Sequence, residues 1–203
     1  LSLHDALPIS LLLVAVLLLG GLGAGAQDRL KEAAGTFQKM ADGRLDRRRA
    51  VAVQYGLSHS PDNNTDFLLV SYEVMFDHRD MWHDATLPFH FKTEATLGAR
   101  LKQEPRAVAA FNLFGLVYLT PLRVGRVCPF FEAGSGVIYT DFQVDGQGLR
   151  WNFNPCLGLG LESRDKGGRD WFVSVRAHHV SNAGLDDENR GINTLMLRCG
   201  VSF

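Results

Sequence analysis

The sequence predicts an all-β protein, an eight-stranded antiparallel transmembrane β-barrel, with a short N-terminal periplasmic helix ahead of it as one of two readings of the leader. Three observations carry that expectation. From Ala50 onward apolar residues recur at every second position, the period of a strand whose side chains alternate between two faces. The intervening polar rows are rich in glycine and carry both signs of charge, in Glu94, Arg100, Glu132, Arg176 and Arg198. The runs also suit the ~9–11 residues that a tilted strand needs to cross the hydrocarbon of a bilayer.

Alternation alone leaves open which face is inside, because a soluble ligand-binding barrel hides its apolar row and a membrane barrel shows it to lipid. The glycines and mixed charges favour the membrane form, since a narrow eight-stranded interior is filled by small residues and ion pairs. Arg176 and Glu132 are expected to pair there. Phe203 closes an apolar row, resembling the terminal signal of bacterial outer-membrane barrels.

Ahead of the barrel, residues 11–22 are almost wholly apolar and lead to Ala24-Gly25-Ala26, a small-residue cleavage pattern. Residues 1–26 are therefore expected to be a signal peptide behind an artefactual start, LSLHDALPI, that resembles translated adapter DNA. In the leader 27–49, Leu30, Ala33, Ala34, Phe37 and Met40 recur at helical spacing before the basic residues Arg44 and Arg47 to Arg49. A short amphipathic helix over 27–42 and a flexible solvated leader both fit that pattern.

The barrel is expected over 50–203. Its first run sets Val51, Val53, Tyr55 and Leu57 on one face, and its second Leu68, Val70, Tyr72, Val74 and Phe76. The third carries Phe89, Phe91, Ala95, Leu97 and Ala99, while the fourth, 107–119, is apolar on both faces and stops at Thr120-Pro121. The fifth holds Phe131, Ala133, Val137 and Tyr139, with Pro129 only at its start, where a strand tolerates it. The sixth is a single run from Trp151 through Phe153, Leu157 and Leu159 to Leu161. The seventh counts Trp171, Val173, Val175, Ala177, His179 and Ser181, and the eighth Asn193, Leu195, Leu197, Cys199, Val201 and Phe203. Turn-rich pieces at 60–64, 145–148 and 166–168 separate them. Trp82, Trp151 and Trp171 fall near strand ends, as in the aromatic belts of membrane proteins.

A formal charge of −1 over 203 residues gives no electrostatic reason to expect nucleic acid as a partner. Cys128, Cys156 and Cys199 match no metal-site spacing, and His178 points away from His179, so neither a metal nor a cofactor is expected. A Cys128 to Cys156 disulfide is left open, with Cys199 a small thiol on an apolar row.

Chemistry concentrates in the closing hairpin. His179 and Ser181 end the apolar row of one strand and Asn193 heads that of the next; a turn centred near Asp187 sets Ser181 opposite Asn193 with His179 one step away. A serine needs an adjacent base to take its proton, and the base needs a third group to hold its tautomer. The amides of Asn182 and Ala183 could serve an oxyanion where Gly184 breaks the strand. The competing reading is that of polar residues at a membrane interface with no chemistry.

The segment His179-Val180-Ser181-Asn182-Ala183-Gly184, followed by Asn189-Arg190-Gly191-Ile192-Asn193, resembles the closing motif of the outer-membrane lipid A 3-O-deacylase family. Pro129-Phe130-Phe131-Glu132-Ala133-Gly134-Ser135-Gly136 is similar to that family's fifth-strand signature. The resemblance implies an eight-stranded barrel in the outer membrane that hydrolyses an ester-linked acyl chain of lipid A at its lipid-facing wall. It implies Ser181 as nucleophile, His179 as general base and the amides at Asn182 and Ala183 as oxyanion donors. Lipid A (lipopolysaccharide) and the surrounding outer-membrane lipid are the implied partners, and a homodimer is left open. The third position departs from the pattern: Asn193 stands where family members carry Glu, and it can hold an imidazole but not offset its charge. Asp186, Asp187 or Glu188 in the turn are the alternatives for that role. A non-catalytic lipid-binding barrel and an acyltransferase are the competing functions.

Overall fold

The computed structural model describes residues 47–60, 65–77, 89–163 and 169–203. The expected signal peptide, the leader helix and Trp82 lie outside the described residues.

The strands are β1 (Arg47–Ser60), β2 (Asp66–Asp77), β3 (Phe89–Arg100), β4 (Arg106–Tyr118), β5 (Val127–Thr140), β6 (Trp151–Phe153), β7 (Cys156–Ser163), β8 (Asp170–Val180) and β9 (Ile192–Ser202). Each pairs antiparallel with its neighbour, and β1 closes the sheet on β9 through Val53↔Cys199 and Leu57↔Leu195. β6 and β7 both pair with β5, so nine segments make eight staves. The sixth run, expected to be continuous, breaks at Asn154-Pro155, because a proline has no N–H for the ladder. Its phase survives the break, and Trp151, Phe153, Leu157, Leu159 and Leu161 all remain outside.

The faces sort as a membrane barrel requires. Val53, Tyr55, Val70, Leu97, Leu159 and Leu197 are exposed, whereas Gln54, Glu73, Lys92, Glu94, Glu132, Arg176 and Arg198 are buried. A soluble barrel has the opposite arrangement, so that alternative falls. Trp151 and Trp171 are exposed at opposite ends of the wall.

Midway through the barrel, three cations and three carboxylates form one layer. Arg176 grips Glu94 with two nitrogens, at 2.9 and 3.0 Å, and reaches Glu132 at 2.9 Å, which confirms the expected inward pairing. Lys92 bonds Glu132 at 2.5 Å, and Arg198 bonds Glu73. Gly158 leaves room for this layer, since a Cβ there would sit 3.0 Å from the Glu132 side chain. An apolar cluster closes each end: Phe67, Leu69, Val108, Ile138, Phe142, Val180, Ile192 and Met196 at the end bearing the 181–191 loop, and Ala50, Ala52, Leu116, Tyr118, Cys128, Phe130 and Phe172 at the other. The lumen is a packed core.

β1 begins at Arg47 rather than Ala50, and Arg48 crosses the lumen to Glu162 at 2.6 Å and Tyr118 at 2.6 Å, an anchor that extends the strand. All three cysteines are free. On the β5–β7 ladder Cys128 faces Glu162 and Cys156 faces Gly134. That separates the two thiols by about 20 Å of strand, against the ~6 Å between Cα atoms that a disulfide needs.

Candidate active site

Alternation along β8 buries Val180 in the apolar cluster and His178 edge-on to Phe67, with ring centroids 6.0 Å apart. With those two pinned inside, His179 has only the outer wall to face. Ile192, also in the cluster, does the same for Asn193. Ser181 lies in phase with His179, and all three residues are half-buried on the lipid-facing side.

The turn is centred one residue earlier than expected. His179, and not Ser181, stands opposite Asn193, while Ser181 leaves that ladder and exchanges both backbone hydrogen bonds with Phe153, at 2.8 and 3.0 Å. The cause is the broken sixth stave. Around Asn154-Pro155 the wall recruits the end of β8, with the His179 N–H donating to the Pro155 carbonyl at 3.0 Å.

This register brings the imidazole to the amide. His179 Nδ1 and Asn193 Oδ1 are 2.6 Å apart. With the amide oxygen accepting, Nδ1 carries the proton and Nε2 keeps its lone pair. Among the described residues no loop carboxylate bonds the imidazole, and Asp186 instead accepts the Glu188 N–H at 2.9 Å. Ser181 Oγ makes no hydrogen bond among the described residues.

Of the two expected oxyanion donors, Asn182 is already committed. Its N–H donates to Asn189 Oδ1 at 2.8 Å, and its buried side chain donates to the Glu188 carbonyl at 3.0 Å and accepts the Gly184 N–H at 2.9 Å. Asn182 is thus the fastener of the loop, with Asn189 its partner. Ala183 follows in the left-handed region at φ 55°, and its N–H has no partner among the described residues.

Three contributors escape a reading by periodicity. Gly191, at φ 71°, lies under the His179 imidazole: a Cβ there would stand 2.9 Å from His179 Cε1 and 3.0 Å from the Val180 carbonyl. Pro155 supplies the carbonyl that holds the His179 backbone. His59, from β1, lines one surface depression of about 420 Å³ together with Pro155, Leu157, Ala177, His179 and Asn193. The Asn-x-Gly spacing before Ile192 signalled Gly191 in the sequence; nothing local signalled the other two.

The family model described as lipid A 3-O-deacylase (PagL) matches residues 67–202. Lipid A deacylase PagL of Pseudomonas aeruginosa is 37% identical over 87 residues, which are 41% of this chain and 48% of that protein. That alignment therefore spans about half the relative's length. The crystal structure of the outer membrane enzyme PagL aligns with a TM-score of 0.52 at 24% identity, covering 74% of this chain and 97% of that one. Neisserial surface protein A gives 0.59 at 9% identity, covering 77% and 95%. At such identities the structural likeness speaks to the fold, a barrel of outer-membrane type. The family match takes in β2 to β9 and the whole closing hairpin, and on that ground the chain belongs to the lipid A 3-O-deacylase family.

Proposed function

We propose that this chain works in the outer membrane as an esterase that removes one ester-linked acyl chain from lipid A, with Ser181 as nucleophile, His179 as general base and Asn193 as the group that orients the base. The carrying observation is the 2.6 Å contact of His179 Nδ1 with Asn193 Oδ1, made on the outer wall two residues along the chain from Ser181. A site so placed meets its substrate by lateral movement in the membrane and requires no soluble tunnel. Leu157 and Ala177 give the depression an apolar side for the acyl chain, and its polar groups lie at the loop end, where a headgroup sits.

The chemistry follows the serine-esterase pattern. Nε2 takes the Ser181 proton as Oγ attacks the acyl carbonyl, and the Ala183 N–H donates to the oxyanion. Collapse breaks the ester bond, the leaving alkoxide takes the proton from Nε2, and water repeats the sequence on the acyl-serine to release a fatty acid. The proton transfer requires Nε2 to come within hydrogen-bond reach of Ser181 Oγ, which lies two residues on along the same face.

Asn193 favours a second reading, a lipid A-binding barrel with little turnover, because an amide orients imidazole without stabilising imidazolium. Mass spectrometry of lipid A incubated with the detergent-folded protein separates the two. Loss of one hydroxyacyl mass, absent with Ser181→Ala, is expected of the esterase. No loss, even with Asn193→Glu, leaves the binding barrel. Recovery of the chain as free fatty acid distinguishes hydrolysis from transfer to another acceptor.

A further inference from the structure

Along β1 the even-numbered residues Ala50, Ala52, Gln54 and Ser58 point inward and the odd-numbered ones outward. Near its end the register with β9 slips: Ser58 faces Thr194 and Ser60 faces Asn193, which leaves His59 as an extra residue on a β-bulge. Bulges bend a strand and re-aim a side chain, and they concentrate beside active sites. The bulge is held from below, since buried Ser58 accepts the Thr65 N–H on Oγ at 3.0 Å and donates its own N–H to the Thr65 carbonyl at 2.8 Å.

His59 is exposed, and makes no hydrogen bond or ion pair among the described residues. Yet it borders the same depression as His179 and Asn193, from the stave on the far side of Asn193, while Pro155 borders it from the stave beyond His179. Its position along the barrel matters as much. His59, Asn193 and His179 share the loop-bearing end, whereas Leu157 and Ala177 lie nearer the middle of the wall. An ester being cut there has its acyl chain toward the middle, so its headgroup is left at the level of His59. An imidazole can donate to or accept from an oxygen, which an aliphatic residue on that wall cannot.

We propose that His59 is a specificity-determining residue that hydrogen-bonds an oxygen of the substrate headgroup, a sugar hydroxyl or a phosphate, next to the scissile ester. The inference rests on the deacylase reading for its substrate, and its test is built to be read separately. Lipid A binding is titrated against Ser181→Ala and against Ser181→Ala combined with His59→Ala or with His59→Gln, with heat-modifiable gel migration certifying each fold. The alanine is expected to weaken binding about tenfold, and the glutamine, which keeps a donor and an acceptor, to retain most of the affinity. In the otherwise wild-type background the loss falls on KM rather than kcat. A loss confined to bisphosphorylated lipid A identifies the phosphate, and an equal loss with dephosphorylated lipid A identifies a hydroxyl. Unchanged affinity in the alanine variant, or equal losses for alanine and glutamine accompanied by a fall in kcat, overturns the proposal. If wild type releases no acyl chain the esterase reading fails, and the binding titration still decides His59.

Discussion

Asn193 is where residue chemistry sets the expected rate. An amide oxygen holds the His179 Nδ1 proton and so secures the tautomer, but it carries no charge to stabilise the imidazolium that the proposed attack by Ser181 would form. Asn193→Glu adds that charge while keeping the acceptor for Nδ1, and is expected to raise kcat at least about tenfold in lipid A turnover assays. Asn193→Leu, which neither orients nor stabilises, is expected to lower it. Gly191 acts on the same ring from below. Gly191→Ala puts a methyl 2.9 Å from His179 Cε1 on a backbone at φ 71°, and should cost roughly 1–2 kcal/mol of stability while displacing the base. Urea unfolding and kcat, measured together, check both effects.

At the scale of elements, the 181–191 loop is an object with its own fastening. The side chain of Asn182 spans it from Gly184 to Glu188, and Asn189 returns to the Asn182 N–H. Asn182→Ala removes two of these hydrogen bonds without touching a barrel stave. The folded band should therefore keep its heat-modifiable migration, while limited proteolysis within 183–190 becomes faster and deacylation slower. Equal protease resistance in the variant and the parent would count against the fastening role. The break in the sixth stave works with this loop, because strand pairing lost at Asn154-Pro155 is recovered through Ser181 and Phe153.

For the whole molecule, the governing fact is an interior filled by balanced charge between two apolar ends. Glu132 touches Lys92, Arg176 and Arg198, so Glu132→Ala leaves three buried cations short of a partner. Breaking a buried pair from one side typically costs about 3–5 kcal/mol, and a drop of that size in the unfolding free energy in detergent is expected. The same filling makes the barrel a closed wall. Purified protein reconstituted in planar bilayers should show no steady single-channel conductance, and a stable open channel would contradict the packed lumen.

Period-two alternation was enough to read eight staves and to set His179 and Ser181 on the face of the apolar row, because sharing a face depends only on counting along a strand; the glycines and mixed charges of the other row then assigned that row to the lumen. The His-x-Ser spacing and the Asn at 193 were legible for the same reason. Register was not: the partner of Asn193 shifted by one step, since the length of a turn depends on hydrogen bonds that Asn182 and Asn189 make across it. Nor was the place of His59, which a bulge projects beside residues more than a hundred positions away. Contacts between distant staves arise only when the sheet closes on itself, and closure is a property of the assembled barrel that no local run of residues contains.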